Sequence, residues 1–336
     1  MDPFERYLPT LEHEMKRLVT ATEDAPQLLY GMVRYHLGWV DERFQPVKVE
    51  RGKRLRPLIC LLAAEAQGGD WHMALPAAAA IELLHNFTLI HDDIEDNDQT
   101  RRGRPTLWAV WGVPQAVNAG DTLFALSYRG MLALAQVGLA ADLMLQAIKK
   151  YTETVIQITE GQCRDLAFET QPDITEASYL AMITSKTAAL IALAAEMGGM
   201  IAGAPQENCE SLHSYGIALG RAFQMQDDLL GLWGDPAKTG KPVGSDLIKR
   251  KKTLPILHAL RHSPVLRQAF ERETIDVATV PALLSEMERV GSRAYTEALA
   301  DKYLNEALDA LSASGGQGWP QETLHELTLR LAKRWK

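Results

Sequence analysis

Apolar side chains recur at helical spacing along nearly the whole chain. A spacing of three or four residues places side chains on one face of an α-helix, whereas a half-buried strand would alternate at every second residue. No stretch alternates convincingly in this way. The positions that carry the helical pattern include Leu58, Leu61 and Leu62; Ile81, Leu84 and Phe87; Val155 and Ile158; and Leu212, Tyr215 and Leu219. The pattern predicts an all-α protein.

Glycine and proline interrupt this pattern at intervals that suit long helices. The breaks fall at residues 68–70, 112–114, 171–173, 203–205 and 315–320, and these two residue types most often punctuate helices. Neither a low-complexity linker nor a change of composition divides the chain, so we expect a single domain over residues 1–336. The predicted architecture is a bundle of long helices.

Composition limits the partners and the location of the protein. A formal net charge of -8 and a pI of about 5.6 provide no basic field to attract nucleic acid or anionic lipid. The first residues are acidic where a signal peptide needs a basic start. The most apolar stretch, residues 187–204, is short for a membrane span and is interrupted by Glu196, so a buried core helix explains it better. Three cysteines, Cys60, Cys163 and Cys209, lack paired spacing and are expected to be buried thiols of a cytoplasmic protein.

A cluster of carboxylates follows the apolar helix predicted over residues 81–90. Asp92 and Asp96 stand at i and i+4 on one helix face, and Asp93 lies beside them. Like charges at this spacing repel each other, and a hard divalent cation with oxygen ligands would remove the repulsion. A solvated acidic surface is the common alternative, but it fits poorly because residues 81–90 are too apolar for an exposed helix. The motif therefore predicts a Mg²⁺ site.

A second acidic pair repeats this theme later in the chain. Asp227 and Asp228 follow another apolar helical segment, which includes Phe223 and Met225. Two acidic helix ends that face each other would hold several cations, and we expect the fold to bring the two motifs together.

Basic residues concentrate in short stretches near both acidic motifs. They are Lys53, Arg54 and Arg56; Arg101, Arg102 and Arg104; Lys186; and Lys241, Lys249, Arg250, Lys251 and Lys252. Such groups, together with Mg²⁺, match the charge and bidentate hydrogen bonding of a diphosphate. The sequence has no phosphoryl-transfer or dinucleotide loop, which leaves diphosphate as a leaving group. For Arg104 and Lys249, ion pairs with neighbouring acids are the preferred interpretation.

The ordered motifs resemble those of the trans-isoprenyl diphosphate synthases, the polyprenyl synthetase family. The matching segments, in order, are GKRLRP, LLHNFTLIHDDIEDNDQTRRGRPT, EGQCRDLAFE, SKT and FQMQDDLLGLWGDPAKTGKPVGSDLIKRKKTLP. The resemblance implies a helical bundle around a central cavity, usually a homodimer. It also implies that an allylic diphosphate, held through three Mg²⁺ ions, ionises and alkylates isopentenyl diphosphate, which then loses a proton.

The resemblance assigns roles to the residues that match the family motifs. The implied metal ligands are Asp92, Asp96, Asp227 and Asp228. Asp93 and Asp228 would also support the other ligands. The implied contacts of the allylic substrate are Arg101, Lys186, Thr187, Gln224, Lys241 and Lys251. The implied contacts of isopentenyl diphosphate are Lys53, Arg56, His85 and Arg102. The catalytic set would be Asp92, Asp93, Asp96, Arg101, Lys186, Asp227 and Asp228. The alternative for His85 is a satisfied core histidine, but the cationic sites around it favour a diphosphate contact.

The second acidic motif departs from the pattern DDxxD that is common in the family. Gly231 stands where the third carboxylate is expected, and a glycine there costs about 1 kcal/mol of helix stability relative to alanine. Metal binding at this end is therefore expected to be weaker or differently arranged. Activity is expected to persist because neighbouring charged residues remain, namely Asp227, Asp228, Lys241, Asp246 and Lys251. Asp165 would either add a carboxylate near the metals or cap a polar seam.

Helix geometry also bears on product length. Residues four and five before Asp92 lie one turn down, toward the floor of the cavity, where Thr88 is small and Phe87 is large. The first motif carries no two-residue insertion. In the family, this combination resembles enzymes with short to medium products, with geranylgeranyl diphosphate the first expectation and farnesyl diphosphate the next.

Three alternatives to a synthase remain open. A class I terpene cyclase on the same fold would ionise one prenyl diphosphate, and it would not need the residues assigned to isopentenyl diphosphate. A non-catalytic partner subunit is disfavoured by the intact first motif, although Gly231 keeps this alternative open. A structural bundle with an incidental acidic turn does not explain why basic stretches recur beside both acidic motifs.

Overall fold

The computed structural model describes residues 2–47, 49, 52–171, 173–236 and 242–332. In these residues the regular structure is helical, apart from one two-stranded hairpin and an isolated bridge between Val40 and Pro46. The all-α prediction is confirmed. Backbone contacts divide the chain into two compact units, and the expectation of one domain over residues 1–336 stays a prediction.

Unit 1 contains Met1–Lys150, Ala194–Gln206 and Gln317–Gln321. Its elements are α1 (Pro3–Leu18), α2 (Gln27–His36), α3 (Leu55–Ala66), α4 (Trp71–Glu95), β1 (Thr100–Arg101), β2 (Arg104–Pro105), α5 (Leu107–Trp111), α6 (Val113–Leu132), a 3₁₀ turn (Ala133–Ala135) and the start of α7 (Ala141–Thr170).

The centre of unit 1 is α4, which packs mainly against α6 and α3. Asp70 caps its first turn by accepting a hydrogen bond of 3.0 Å from the backbone N–H of His72, as N-cap carboxylates do. Small residues allow the close approach of α6, because a Cβ atom at Gly130 would lie 2.9 Å from the Cβ of Ala80. This packing buries the middle of α4, whose last turn carries the first acidic motif.

Unit 2 contains Tyr151–Leu193, Glu207–Gly316 and Glu322–Lys336. Its elements are the rest of α7, α8 (Glu176–Ile183), a π-helical turn (Thr184–Ala188), the start of α9 (Ala189–Ile201), α10 (Gln206–Trp233), α11 (Ser245–Ile248), α12 (Leu254–His262), α13 (Pro264–Glu271), a 3₁₀ turn (Val277–Thr279), α14 (Val280–Arg289), α15 (Ser292–Ala313) and most of α16 (Gly318–Ala332).

Within unit 2, α10 lies very close to the π-helical turn and to the first residues of α9. Cβ atoms at Gly216 and Gly220 would lie 2.3 and 2.4 Å from the Cα atoms of Ala192 and Ala188. Two glycines one turn apart thus form a flat helix face against which another backbone can pack. This contact aligns the second acidic motif, on α10, with the π-helical turn.

Within the described part of the chain, two helical stretches are long and apolar enough to cross a membrane, namely Trp71–Glu95 and Glu176–Ile201. Their most apolar windows are 72% and 78% buried within the protein, so both are core helices, as expected for residues 187–204. The expectation of three buried thiols is wrong for Cys163, which is exposed, whereas Cys60 and Cys209 are buried.

Candidate active site

The first acidic motif lies at the C-terminal end of α4. Asp92 and Asp96 are half-buried one turn apart, and Asp93 is only 1% exposed. Asp96 ends the helix, and its backbone N–H donates to the carbonyl of Asp92 at 2.8 Å. A helix C-terminus carries partial negative charge, which adds to the mutual repulsion of the carboxylates. The motif therefore has a strong electrostatic need for nearby cations.

A β-hairpin directly after this motif supplies one cation. Strands β1 and β2 pair Arg101 with Arg104, and the turn residues Arg102 and Gly103 have φ angles of 52° and 72°. Two positive φ angles define the type I′ turn that suits a tight hairpin. The Arg101 Nε donates to Asp93 Oδ1 at 2.7 Å. Burial raises the pKa of Asp93 to about 6, although the charge and the hydrogen bond of Arg101 act to lower it.

A group of cationic side chains surrounds His85, about two turns before Asp92 on α4. The Nη1 of Arg56 lies 3.2 Å from the Nε2 of His85. Burial places the pKa of His85 well below its ordinary value, and the charges of Arg56, Arg102 and Arg101 lower it further. A neutral histidine among arginines is an arrangement suited to an anion. Lys53, assigned to the same substrate, is exposed at the start of this stretch.

His36, at the end of α2, belongs to the same surroundings but has no place in the motifs. Burial lowers the pKa of His36 well below the ordinary value, and the charges of Arg101 and Arg102 lower it further. Its Nε2 is buried without a hydrogen-bond partner among the described residues. Nothing in the local sequence distinguishes it, because only the tertiary fold brings α2 to the arginines.

Two further arginines of the basic stretches have structural roles. Arg54 is 4% exposed, and its guanidinium bonds to Glu82 at 2.7 Å and to Glu12 at 3.2 Å. Arg104 stacks on the ring of Tyr35 and donates to backbone carbonyls. Ion pairs with neighbouring acids were expected for Arg104, whereas its contacts in the described residues are an aromatic ring and backbone carbonyls.

The residues predicted to set product length lie on α4 beside α6. The ring of Phe87 is 5.1 Å from the ring of Phe124 and 4.7 Å from that of His91, between ring centres. Tyr128 extends this aromatic row, 5.4 Å beyond Phe124. Thr88 is half-buried, and its hydroxyl donates to the His85 carbonyl at 2.8 Å. On this part of α4, Phe87 therefore presents an aromatic ring, whereas the neighbouring Thr88 presents a small side chain.

The second acidic motif lies in the last turns of α10, in unit 2. Asp227 is half-buried, whereas Asp228 is 3% exposed. Both oxygens of Asp228 accept hydrogen bonds, from the Tyr179 hydroxyl at 2.5 Å, Gln224 Nε2 at 3.1 Å and the Leu254 backbone at 3.2 Å. Burial raises the pKa of Asp228 to about 7, although the hydrogen bond from Tyr179 opposes this. These partners favour a supporting role for Asp228 over direct metal binding.

The π-helical turn places the SKT triplet beside α7 and α10. The Nζ of Lys186 lies 2.5 Å from Asp165 Oδ2, and Thr187 Oγ1 donates to Gln224 Oε1 at 2.8 Å. The approach depends on Gly161, where a Cβ would lie 2.4 Å from the backbone nitrogen of Lys186. Single π-helical turns within α-helices often occur at functional sites.

The remaining predicted residues fall at the end of the second motif. Lys251 is half-buried, and its backbone N–H donates to the Asp246 carbonyl at 2.9 Å. Lys241 lies outside the described residues. Tyr179, which donates to Asp228, was not revealed by the sequence, since it precedes Lys186 by two helical turns in a plain apolar segment.

The donor chemistry fits a hard divalent cation. In the described part of the chain, no three His, Cys, Asp or Glu side chains form a group that could hold a metal ion by themselves. Mg²⁺ usually takes one or two carboxylates and completes its shell with water and substrate phosphates. The half-buried Asp92 and Asp96 in unit 1 supply such oxygen ligands, and the half-buried Asp227 does so in unit 2. The carboxylates of each unit therefore fit an ion that binds together with a diphosphate.

Sequence relatives agree with this chemistry. Residues 38–287 match the family described as Polyprenyl synthetase. The chain is 39% identical over 311 residues to the (2E,6E)-farnesyl diphosphate synthase of Mycobacterium tuberculosis, covering 90% of this chain and 85% of that protein. It is also 39% identical over 298 residues to a geranylgeranyl diphosphate synthase of the same species, covering 87% and 83%.

Solved structures agree in fold. The geranylgeranyl pyrophosphate synthetase of Pyrococcus horikoshii superposes with a TM-score of 0.87 at 33% identity, covering 99% of this chain and 98% of that one. A polyprenyl synthase of Caulobacter crescentus, solved in complex with calcium and isoprenyl diphosphate, gives a TM-score of 0.83 at 30% identity, covering 100% and 98%.

Proposed function

The chain belongs to the polyprenyl synthetase family and is a trans-prenyl diphosphate synthase, and from this premise we propose that its product is geranylgeranyl diphosphate. The substrates would be isopentenyl diphosphate and an allylic diphosphate with a chain of five, ten or fifteen carbons. Relatives named for farnesyl and for geranylgeranyl diphosphate are equally similar. The proposal for product length therefore rests on the small Thr88 beside the large Phe87 and on a first acidic motif without a two-residue insertion.

One observation carries the proposal of a two-substrate reaction. Arg56 contacts His85 at 3.2 Å, and Arg102 lies close enough to lower the pKa of that histidine in addition to burial and Arg56. A synthase needs such a cationic site for isopentenyl diphosphate besides the acidic motifs. A cyclase that ionises a single prenyl diphosphate does not.

In the proposed reaction, the bond between C1 and oxygen of the allylic diphosphate breaks, and the diphosphate keeps the electron pair. The double bond of isopentenyl diphosphate forms the new carbon–carbon bond to C1, and a proton passes to the departing diphosphate. Arg101 and Lys186 would stabilise charge on the leaving group, since preorganised cations act strongly where water is excluded. Apolar helices around the site would protect the allylic cation from water.

Family members use divalent metal ions, and we assign this protein Mg²⁺, with Asp92, Asp96 and Asp227 as its protein ligands. When bound, the metal supplies charge neutralisation to the diphosphate that leaves. Asp93 and Asp228 would position these ligands, which their burial and hydrogen bonds support. Lys241 and Lys251 are assigned to the allylic diphosphate with Thr187 and Gln224.

The experiment that tests this function is a product analysis. Purified protein is incubated with Mg²⁺, isopentenyl diphosphate and dimethylallyl, geranyl or farnesyl diphosphate in turn, with a chelator as control. We expect twenty-carbon diphosphate from each primer, and none with the chelator. A fifteen-carbon end product would identify a farnesyl diphosphate synthase. Hydrocarbon or alcohol from a single substrate would identify a cyclase.

A variant of the second-substrate site refines this test. Because His85 is assigned to isopentenyl diphosphate, His85→Ala should raise KM for this substrate about tenfold or more, and leave KM for the allylic diphosphate within about twofold. Equal increases for both substrates would contradict the assignment.

Farnesyl diphosphate synthesis is the second candidate, and the contact of Phe87 with Phe124 favours it, because a supported ring blocks a growing chain well. We predict that Phe87→Ala lengthens the product by at least one five-carbon unit, measured by chromatography of the dephosphorylated alcohols. Tyr128→Phe, which changes the aromatic row beyond Phe124 and leaves the contact of Phe87 with Phe124 in place, serves as control. Unchanged product length would show that another residue forms the floor.

We also propose a homodimer in the cytoplasm. Two leucines of unit 1, Leu132 and Leu145, are 59% and 61% exposed, which supports an apolar contact surface on this unit. Both candidate membrane helices are largely buried, which supports a location in the cytoplasm.

A further inference from the structure

The glycine that interrupts the second acidic motif has another carboxylate directly over it. A Cβ built on Gly231 would lie 2.2 Å from Asp246 Oδ2 and 2.5 Å from Asp246 Cγ. Real Cβ atoms essentially never approach other heavy atoms so closely, so the Asp246 carboxylate fills the space that a side chain at position 231 would need. Gly231 lies one helical turn after Asp227, on the same face of α10.

Backbone and side-chain hydrogen bonds hold the segment with Asp246 against the end of α10. The N–H of Gly244 donates to the Leu232 carbonyl at 2.9 Å, and the Ser245 hydroxyl donates to the Gly231 carbonyl at 3.1 Å. Gly244 has a φ angle of 72°, and a Cβ there would lie 2.3 Å from Val280. Only a glycine at 244 allows this turn to lie so close to α14, so the placement of Asp246 is built into the local fold.

The electrostatics agree with this placement. Burial is the main cause that raises the pKa of Asp228, and the charge of Asp246 raises it further. Asp246 also raises the pKa of Tyr179, after burial and Asp228. The Asp246 carboxylate is half-buried and therefore accessible to a ligand at the end of α10.

We propose that Asp246 is the third acidic residue of the second motif. It delivers, from a separate segment, the carboxylate that a DDxxD sequence would carry at position 231, and Gly231 provides the space. The inference rests on the proposed function, because it assigns Asp246 to the metal-bound diphosphate together with Asp227. It predicts that the carboxylate can be moved from position 246 to position 231.

The test uses four variants of the full chain and two measurements. The variants are Asp246→Ala, Asp246→Asn, Gly231→Asp and the double variant Gly231→Asp/Asp246→Ala. Calorimetry measures the binding of inorganic pyrophosphate with and without Mg²⁺, and thermal unfolding is followed without ligand. Asp301→Asn on α15 removes an exposed carboxylate of the same unit and serves as the matched control.

We expect both substitutions of Asp246 to weaken Mg²⁺-dependent pyrophosphate binding about tenfold or more, as loss of a metal-supporting group does, and the control to match the wild type. Gly231→Asp alone should lower the unfolding temperature, because two carboxylates would occupy one space. The double variant should recover both the unfolding temperature and the Mg²⁺-dependent binding.

The outcomes separate this inference from the proposed function. Wild-type binding with Asp246→Asn, or a folded double variant that binds as weakly as Asp246→Ala, would overturn the role of Asp246 alone. A wild-type protein that neither binds pyrophosphate with Mg²⁺ nor condenses the two substrates would overturn the proposed function as well. Asp246→Asn keeps the side-chain shape, so the test remains decisive if Asp246→Ala does not fold.

Discussion

Arg54 lies between two carboxylates in the interior of unit 1. It begins α3 with a φ angle of 47°, and its guanidinium contacts Glu82, Glu12 and the Leu37 carbonyl. Within the stretch GKRLRP, this arginine therefore fixes the start of α3. Arg56, two residues later in the chain, contacts His85 instead.

We predict that Arg54→Met lowers the free energy of unfolding by about 3 kcal/mol, because the carboxylate of Glu82 would be buried without its guanidinium partner. Urea unfolding measures the loss. The double variant Arg54→Met/Glu82→Gln removes the stranded charge and should recover at least half of it. Equal losses in the single and double variants would show that the arginine acts through packing instead.

His36 should make stability depend on pH. Burial and the nearby arginines lower its pKa below the ordinary value of 6.5, so below pH 6.5 the unfolded chain binds a proton that the folded chain does not. Its contribution is therefore present above pH 6.5 and is lost as the pH falls further. His36→Gln should lose less stability between pH 7.5 and 5.5 than wild type, by at most about 1.4 kcal/mol per pH unit. Parallel curves in urea unfolding would contradict this.

At the scale of single residues, the sequence revealed groups in motifs but not groups that only the tertiary fold brings together. The acidic and basic motifs could be read directly, since their spacing has a chemical reason. Tyr179 and His36 could not, because each lies in an ordinary helical segment and meets its partners through long-range packing. The Asp246 carboxylate over Gly231 is of the same kind.

At the scale of elements, the periodic pattern predicted the helices and the breaks between them. The predicted breaks at residues 68–70 and 203–205 fall between helices of the structure, whereas those at 112–114 and 315–320 extend into the first residues of α6 and α16, and the break at 171–173 includes a residue outside the described part of the chain. The hairpin of residues 100–105 was not predicted, since its two-residue strands are too short to show alternation. The π-helical turn Thr184–Ala188 was also missed, because one extra residue in a turn leaves no mark on an apolar pattern.

Gly161 lets α7 approach that π-helical turn, which yields a prediction at this scale. Gly161→Ala would place a Cβ atom 2.4 Å from the backbone of Lys186, so the two segments must separate. We expect a loss of about 1–3 kcal/mol in the free energy of unfolding, as overpacking usually causes. Activity should fall as well, because the pairing of Lys186 with Asp165 would be disturbed. Ala167→Ser, at an exposed position of the same helix, is the control and should change neither.

At the scale of the molecule, each unit carries one acidic motif and an ion pair between a basic residue and a carboxylate. Asp93 bonds to Arg101 in unit 1, and Lys186 pairs with Asp165 in unit 2. Basic side chains therefore lie beside carboxylates in both units, although the protein is acidic overall. Net charge averages over both signs, so the net charge of the protein gave no sign of an anionic substrate.

The proposed homodimer leads to the last prediction, on assembly. Burial of one exposed leucine contributes about 1.5–3 kcal/mol, so the charge introduced by Leu145→Glu should weaken self-association at least about tenfold. Sedimentation velocity over a range of concentrations measures the shift toward monomer. Val265→Glu places the same charge at a 53% exposed site on α13 of the other unit, and it should leave the dimer intact. A wild-type protein that sediments as a monomer would rule out the dimer, whereas equal weakening by both variants would move the contact surface away from Leu145.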